Sequence, residues 1–425
     1  MTATEARNPH PDALERRDPE QREADLMARL AAQVAHAQNN APAFADLLRD
    51  VPAASVRSRA ALAQLPVTRK GELLERQKAR RDTDVFGGFS AIGWGAAQRR
   101  RALRVYASPG TIYEPEGPSA DYWRMARALF AAGFRAGDLA HNCFSYHFTP
   151  AGLMMETGAH ALGCTVFPGG TGQTEQQVHV MAELKPAGYI GTPSFLKLII
   201  EKAAEMGVAL PCLTKASVGG EAFPPSLRDW LAERGVLAYQ SYGTADLGLI
   251  AYETTAREGL VLDEGVIVEI VRPGTGDPVP EGEVGEVVVT TLNPDYPLIR
   301  FGTGDLSAVL PGPCPTGRTN TRIKGWLGRA DQTAKVRGMF VHPSQVAEIA
   351  RRHPSVAKAR LVVSGEMAND HMTLQVEVAE RPEGLQDHIA QTIRDVTKLR
   401  GEVLLCAVGS LPNDGKVIED ARRYQ

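Results

Sequence analysis

The chain has 425 residues, of which 43% are hydrophobic and 23% are charged, and its formal net charge is −3. This length allows roughly two or three domains, and the small net charge gives no electrostatic reason to expect a nucleic-acid or membrane partner. The N-terminus mixes acids and arginines without an apolar core, and no apolar run reaches membrane-spanning length. Five cysteines are scattered without a CxxC pair, so we expect no disulfide framework and a cytoplasmic protein.

The first part of the chain is expected to be helical and then to alternate between helices and strands. Residues 1–22 are expected to be mobile, and apolar residues at helical spacing, including Leu26, predict an amphipathic helix after them. Thr68 is placed as the N-cap of a second helix. From Tyr122 onward, helices separate short predicted strands, the first of which covers residues 138–145. This alternation predicts an α/β fold with a mainly parallel sheet covered on both faces.

The pattern changes twice in the later part of the chain. Beyond Gly265, two β-rich runs separated by a Pro/Gly segment indicate a hairpin or a small β-barrel-like part. The last region has a compact α+β pattern, with predicted helices at 343–352 and 385–399 and predicted strands at 358–363, 372–379 and 402–408. We therefore predict a large N-terminal domain of residues 1–330 and a small C-terminal domain of residues 331–425.

Three segments in the last third contain residues suited to binding a nucleotide. YPLIRFGTGDLS (296–307) places glycines before Asp305, which lets the backbone approach a ligand and the carboxylate accept from two ribose hydroxyls. The alternative is a tight turn with a capping aspartate. GRAD contains Arg329, which could otherwise be an exposed surface arginine. NDGK (413–416) ends in Lys416, and a lone lysine in a turn is usually only solvated.

Two segments in the middle of the chain are also rich in glycine and carboxylate. SYGTADLG (241–248) contains Asp246, and a hard cation such as Mg²⁺ prefers carboxylate oxygens. The alternative for this segment is a βα loop whose aspartate caps the next helix. VGGEAFP (218–224) lies just upstream.

In their order and spacing, these segments resemble those of the adenylate-forming enzymes, and most of all the phenylacetate–CoA ligase family. The resemblance spans about residues 41–420. It implies that ATP and an aromatic or arylacetic acid react to give acyl-AMP and pyrophosphate, and that a thioester with coenzyme A then forms. It also implies that the small C-terminal α+β domain is a mobile lid, which swings about Asp331 between the two steps.

The resemblance assigns a role to each candidate residue. Lys416 would be the catalytic lysine, neutralising charge as the α-phosphate is attacked in line. Asp246 would bind the Mg²⁺ that accompanies ATP, and Asp305 would bind the ribose. The other predicted nucleotide or coenzyme A contacts are Gly219, Gly220, Glu221, Tyr242 over the adenine, Gly243, Thr244, Arg329 and, beside the pantetheine path, Gly338.

The segment YASPGTIYEPEGPS (106–119) corresponds to the family's phosphate-binding loop. Ser108, Gly110 and Thr111 match the start of that loop, but its lysine is missing. Glu114 and Glu116 occupy the half in which the phosphates would lie, and like charges there would repel ATP unless the glutamates turn outward or bind Mg²⁺. We therefore expect weak affinity for ATP. An alternative interpretation is that the protein is a catalytically inactive binding module. A second alternative is an enzyme that passes the adenylate to an amine or a carrier protein.

The segment HNCFSYHFTPAG (141–152) resembles the family's acyl pocket. Tyr146, His147 and Phe148 are expected to pack against an aromatic acid, together with Ala222, and the alternative is a strand end with core aromatics. Cys314 is the one cysteine in the region where some family members bind a structural metal, so we expect no zinc site. The expected partners are a small carboxylic acid, ATP and coenzyme A. The sequence does not decide whether the chain forms a homodimer.

Overall fold

The structure, a computed structural model, describes residues 11–94, 100–108, 111–336, 339–366, 369–412 and 416–422. The chain divides into two compact units, with unit 1 comprising Met1–Thr303 and Ala308–Gly325 and unit 2 comprising Gly304–Ser307 and Trp326–Gln425. Three predicted features lie outside the described residues, namely Gly110, Gly338 and the first three residues of NDGK. The role of Asp331 as a hinge stays a prediction.

Unit 1 contains both helices and strands. Its α-helices are α1 (Pro19–Asn40), α2 (Pro42–Leu47), α3 (Arg59–Ala63), α4 (Lys70–Ala79), α5 (Ala126–Ala131), α6 (Ala151–Ala161), α7 (Thr174–Leu184), α8 (Pro193–Glu205) and α9 (Pro225–Ala232). Its strands are β1 (Thr68–Arg69), β2 (Arg104–Ser108), β3 (Ile112–Glu116), β4 (Leu139–Asn142), β5 (Thr165–Pro168), β6 (Gly188–Gly191), β7 (Lys215–Val218), β8 (Leu237–Thr244), β9 (Gly248–Glu253), β10 (Leu260–Leu262), β11 (Val266–Val271), β12 (Gly285–Thr291), β13 (Phe301–Ser307, which continues into unit 2), β14 (Val309–Leu310) and β15 (Arg322–Ile323).

The predicted amphipathic helix near the N-terminus is confirmed as α1. The Asp18 carboxylate accepts hydrogen bonds from two backbone N–H groups of the first turn, and Pro19 occupies the first helical position. Leu30 and Val34 are fully buried in the core of unit 1. The expected mobility of residues 1–22 is wrong for residues 11–22, because they are packed: Glu15, for example, is buried and forms an ion pair with an arginine.

The predicted cap of the second helix is corrected. Thr68 lies in β1, and its hydroxyl donates to the carbonyl of Ile299. The helix itself, α4, begins at Lys70. Thr68 therefore belongs to a pair of strands that are far apart in sequence. Sequence spacing alone does not reveal such a pairing.

A nine-stranded sheet forms the centre of unit 1, in the order β14-β15-β10-β9-β8-β7-β6-β4-β5. The strands from β8 to β5 are parallel, as the alternating pattern predicts, and those from β8 to β14 are antiparallel. The alternative interpretation of SYGTADLG as a βα loop is wrong, because β8 turns directly into β9. The turn places Asp246 at the end of the parallel part, where ligands bind in open α/β sheets.

The β-rich region forms an open sheet of four strands in the linear order β1-β13-β12-β11. The sheet packs against α1, since Val287 and Val289 share one buried cluster with the apolar face of that helix. The prediction of a β-rich part is confirmed, and no closed barrel is seen among the described strands. A separate hairpin pairs β2 with β3.

Unit 2 has the predicted α+β arrangement. Its elements are β16 (Ala334–Val336), β17 (Met339–Val341), α10 (Pro343–Arg352), β18 (Val356–Glu366), β19 (Asn369–Val378), α11 (Leu385–Thr397), β20 (Glu402–Cys406) and β21 (Ile418–Asp420). Strands β20, β19, β18 and β21 form one sheet, and β16 pairs with β17. Ile349 of α10 and Ile393 of α11 are buried in the core against the sheet. None of the described helices in either unit has the length and hydropathy needed to cross a bilayer.

Candidate active site

A cavity of about 130 Å³ lies where β7 and β8 end in unit 1. Its apolar wall consists of Met125, Phe144, Pro150, Ala151, Met154 and Met155. Methionine side chains are flexible and polarisable, and their sulfur makes favourable contacts with aromatic rings. The cavity therefore suits a compact apolar or aromatic group.

Four predicted site residues line this cavity, namely Gly219, Gly220, Gly243 and Thr244. At each of the three glycines, the close packing or the backbone conformation disfavours a side chain. A Cβ on Gly219 would lie 2.9 Å from the carbonyl oxygen of Ser241, and a Cβ on Gly243 would lie 2.6 Å from a carbonyl of β9. Gly220 has φ +80°, in the left-handed region that favours glycine. Thr244 also lines the cavity, and its hydroxyl accepts from a backbone N–H of the β8–β9 turn. The structure thus brings these residues together around one cavity.

Three other predicted residues lie elsewhere in unit 1. The carboxylate of Glu221 accepts a hydrogen bond (2.6 Å) from the backbone N–H of Ser194 in the first turn of α8, so it stabilises a helix N-terminus. Ala222 is exposed and does not line the cavity. Tyr242 is half-buried against the core, and its hydroxyl donates to Thr303 (3.3 Å).

The predicted acyl-pocket residues Tyr146, His147 and Phe148 do not line this cavity. Tyr146 and His147 line a different cavity of about 500 Å³, beside Phe167, and Phe148 is 81% exposed. The backbone of Phe148 has φ +60°, and its carbonyl accepts from an N–H of β2, so the side chain turns outward. Burial and the neighbouring carboxylate of Glu156 raise the pKa of Tyr146. Phe144 and the residues that begin α6 line the cavity of about 130 Å³, and the acyl-pocket roles of Tyr146 and His147 stay predictions.

Asp246 is buried as part of a small charged group that the sequence did not reveal. Its side chain is 1% exposed, and one carboxylate oxygen accepts a hydrogen bond (2.9 Å) from the Nζ of Lys70 at the start of α4. The other oxygen has no hydrogen-bond partner among the described residues. Burial, and next the negative charge of Asp246, raise the pKa of Glu114 on β3 to about 8. Three separate elements therefore bring two carboxylates and one ammonium group together.

The hairpin that contains the predicted phosphate-loop residues turns its glutamates inward. The hydroxyl of Ser108 is buried and donates to Glu114 (2.5 Å), whereas Thr111 is exposed at the hairpin tip. Glu116 is 1% exposed, forms an ion pair with Arg104 (3.0 Å) and accepts a hydrogen bond from a tyrosine of β2. The predicted repulsion of ATP by Glu116 is therefore wrong, because its charge is enclosed and paired. The two glutamates share one face because side chains on a strand alternate.

Unit 2 contains the predicted ribose-binding residue. One carboxylate oxygen of Asp305 accepts from Arg329 (3.1 Å) and from the indole N–H of Trp326 (3.1 Å). Gly304 has φ +74°, and a Cβ there would lie 2.6 Å from the Arg329 guanidinium. Lys416 is exposed and precedes β21. Asp305 and Arg329 are thus neighbours, as a shared nucleotide site requires.

Comparisons with known proteins show the family of this chain. The model of the AMP-binding enzyme family matches residues 121–293. A phenylacetate-coenzyme A ligase of Aromatoleum evansii is 31% identical, over 93% of this chain and 92% of its own length. Another, of Thermus thermophilus, is 32% identical over 90% of this chain and 92% of its own. The chain belongs to the phenylacetate-coenzyme A ligase family.

A solved structure supports the fold of this family member. An open conformation of 2-hydroxyisobutyryl-CoA ligase, in complex with 2-HIB-AMP and CoA, matches with a TM-score of 0.85 and 22% identity. The match covers 98% of this chain and 95% of that protein. This match confirms the α/β fold class. The family model and the curated relatives confirm the resemblance to adenylate-forming enzymes.

In this phenylacetate-coenzyme A ligase family member, we expect Glu116→Lys to lower the free energy of unfolding rather than to improve ATP binding. Breaking a buried ion pair lowers the free energy of unfolding by about 3–5 kcal/mol. Since Arg104 is 39% exposed and water screens its charge, we expect the lower end of this range, about 3 kcal/mol. Urea denaturation measures this loss. Glu281→Lys, in an exposed loop, is the control and should change stability by less than about 0.5 kcal/mol. A stable Glu116→Lys protein with a lower KM for ATP would instead support a phosphate-facing glutamate.

Proposed function

We propose that the chain activates an aromatic or arylacetic acid with ATP, giving acyl-AMP and pyrophosphate, and then transfers the acyl group to coenzyme A. The observation that carries the acid class is the cavity of about 130 Å³ with its methionine and phenylalanine wall. An apolar cavity of about 150 Å³ holds one benzene ring. The cavity therefore matches a single aromatic ring and is too small for a long fatty acyl chain.

Asp246 supports binding of the Mg²⁺ that accompanies ATP. It is a buried carboxylate held in place by Lys70, and its second oxygen has no partner among the described residues, so this oxygen fits a cation. Mg²⁺ is usually bound by one or two carboxylates together with phosphate oxygens and water. When bound, it supplies positive charge that stabilises the phosphates during the displacement.

The residues of unit 2 supply the other nucleotide contacts. The carboxylate of Asp305 accepts from the two ribose hydroxyls, and Arg329 and Trp326 hold that carboxylate in position. Lys416 places positive charge between the carboxylate of the acid and the α-phosphate. A lid that pivots about Asp331 and carries Gly338 to the pantetheine path is part of the same proposal.

The proposal is tested by measuring pyrophosphate release over benzoates, arylacetates and short aliphatic acids, with and without coenzyme A. We expect release with aromatic acids and a thioester product when coenzyme A is present. A product with an amine or a carrier protein, but none with coenzyme A, would favour the alternative acceptor. Absence of release with every acid, and no binding of Mg-ATP by calorimetry, would favour the inactive binding module.

We expect Ala151→Leu to reduce kcat/KM for phenylacetate by about 10–200-fold, while activity with short acids such as propionate is retained. The added methyl and methylene groups fill the cavity, and one such group in a hydrophobic pocket is worth about 1–3 kcal/mol. Ala161→Leu, at the exposed end of the same helix, is the matched control and should behave as the native protein does. Equal loss with phenylacetate and propionate would show that the cavity does not select the acyl group.

A further inference from the structure

The short segment between β3 and α5 has a strained backbone. Asp121 and Arg124 have φ +48° and φ +63°, in the left-handed region that residues other than glycine rarely adopt. Residues of this kind persist only where the surrounding contacts fix them, and they occur often at ligand sites. Met125, the next residue of the segment, lines the cavity of about 130 Å³. The strain therefore lies beside the proposed site of the acid.

The guanidinium group of Arg124 joins this segment to the β8–β9 turn. Its Nη2 donates hydrogen bonds to the carbonyls of Leu247 (2.6 Å) and Leu249 (3.0 Å). Its Nε donates to the carboxylate of Asp263 (2.7 Å), which is 1% exposed. In the opposite direction, the backbone N–H of Leu249 donates to the carbonyl of Trp123 (3.0 Å). Three hydrogen bonds therefore hold the segment and the turn together.

Two glycines leave room for this contact. A Cβ on Gly265 would lie 2.5 Å from Cδ of Arg124, and a Cβ on Gly248 would lie 2.7 Å from the carbonyl oxygen of Trp123. Gly248 also has φ +72°, which favours glycine. A side chain at either position would push the segment away from the sheet.

We propose that Arg124 is a positioning residue that fixes the spacing of two parts of the wall of the acid cavity. Met125 comes from the strained segment, whereas Gly243 and Thr244 come from the end of β8 that leads into the turn, and all three line the cavity. Leu249, whose carbonyl accepts from Arg124, is the strand partner of Gly243. The arginine therefore connects the two parts of the wall directly.

The choice of arginine follows from its shape. A guanidinium is planar and carries several donors in fixed directions, so one side chain bonds to a carboxylate and to two carbonyls at once. The inference rests on the proposed function in that the acid occupies this cavity. The rival interpretation is that Arg124 stabilises the fold and has no effect on the cavity.

The test is the Kd for phenylacetate, measured by calorimetry on the full chain with and without α,β-methylene-ATP, which does not release pyrophosphate. We expect Arg124→Lys to raise this Kd by about 10–100-fold, since a misplacement of about 1 Å can cost about 100-fold. Lysine keeps the charge beside Asp263, but its single nitrogen cannot occupy the positions of both Nε and Nη2. The Kd for propionate, which does not fill the cavity, should change by less than about 2-fold.

Arg127→Lys is the matched control for a purely structural effect. Arg127 is 15% exposed and forms ion pairs with Asp12, Glu15 and Asp263, so this variant also weakens the contacts of a mostly buried arginine. Urea denaturation should show a loss of stability in both variants, while the Kd for phenylacetate should stay within about 2-fold of the native value in Arg127→Lys alone. An unchanged Kd in a destabilised but folded Arg124→Lys protein would overturn the proposal.

If Arg124→Lys does not fold by circular dichroism, Gly265→Ala decides. The added methyl group would lie 2.5 Å from Cδ of Arg124, so it displaces the guanidinium without removing its charge. A Kd for phenylacetate raised several-fold supports the proposal, while an unchanged Kd overturns it.

The binding measurement is independent of the reaction, so the two failures can be told apart. Phenylacetate binding that depends on Arg124, in a chain that releases no pyrophosphate with any acid, would overturn the proposed reaction alone. Pyrophosphate release by the native chain, together with a Kd unaffected by Arg124→Lys, would overturn this inference alone. A native chain that does not bind phenylacetate would overturn both this inference and the proposed class of acid.

Discussion

Lys416→Ala is expected to slow acyl-AMP formation by about 10²–10³-fold and to leave thioester formation from supplied acyl-AMP nearly unchanged. Loss of one preorganised group that stabilises transition-state charge typically has an effect of about this size. Lys416 is exposed in unit 2, so its removal should not disturb the core. The second step no longer involves charge development between the acid and the α-phosphate, and the lysine is not needed for it. Single-turnover assays of each half-reaction measure the difference.

A control for this prediction comes from another lysine of unit 2. Lys398 follows α11 in the left-handed conformation, with φ +61°, so Lys398→Asn removes the same charge at a position that asparagine tolerates. Both half-reactions should be unaffected in that variant. Equal loss of both steps in a folded Lys416→Ala protein would contradict a lysine that acts in one of two lid positions.

Asp305→Ala is expected to impair both half-reactions by about 10²-fold, in contrast to the effect of Lys416→Ala. The ribose is present in ATP and in acyl-AMP, so its anchor serves both steps. A hydrogen bond to a charged group contributes about 1.5–3 kcal/mol, and loss of two such bonds to the ribose therefore costs about 3 kcal/mol or more. The measurements are kcat/KM for ATP and for supplied acyl-AMP.

The matched control for Asp305 is Asp387→Ala, an exposed aspartate in the first turn of α11. It should leave both rates within about 2-fold of the native values, since surface changes of this kind have small effects. Full activity in Asp305→Ala, with the fold intact, would show that the contact of Asp305 with Arg329 and Trp326 is only structural.

The sequence alone was sufficient to predict the family, the fold class and most of the helices and strands of unit 2. Its motifs occur in a fixed order, and the apolar periodicity of α10 and α11 is strong because one face of each helix must cover a sheet. The start and end predicted for α10 are those observed. Asp246 and Asp305 could be singled out because glycines and a carboxylate in one short segment are a local signal.

Tertiary structure decided which side chains meet. Lys70 and Asp246 are 176 residues apart in sequence, so no local pattern could pair them. Alternation along β3 shows that Glu114 and Glu116 share a face, but only the packing of the hairpin decides that this face is buried. Phe148 is predicted from the sequence to line a pocket, but its positive φ directs the side chain toward solvent. A sequence motif shows which chemical groups lie close together along the chain. The direction of a side chain depends instead on which elements pack over its strand or turn.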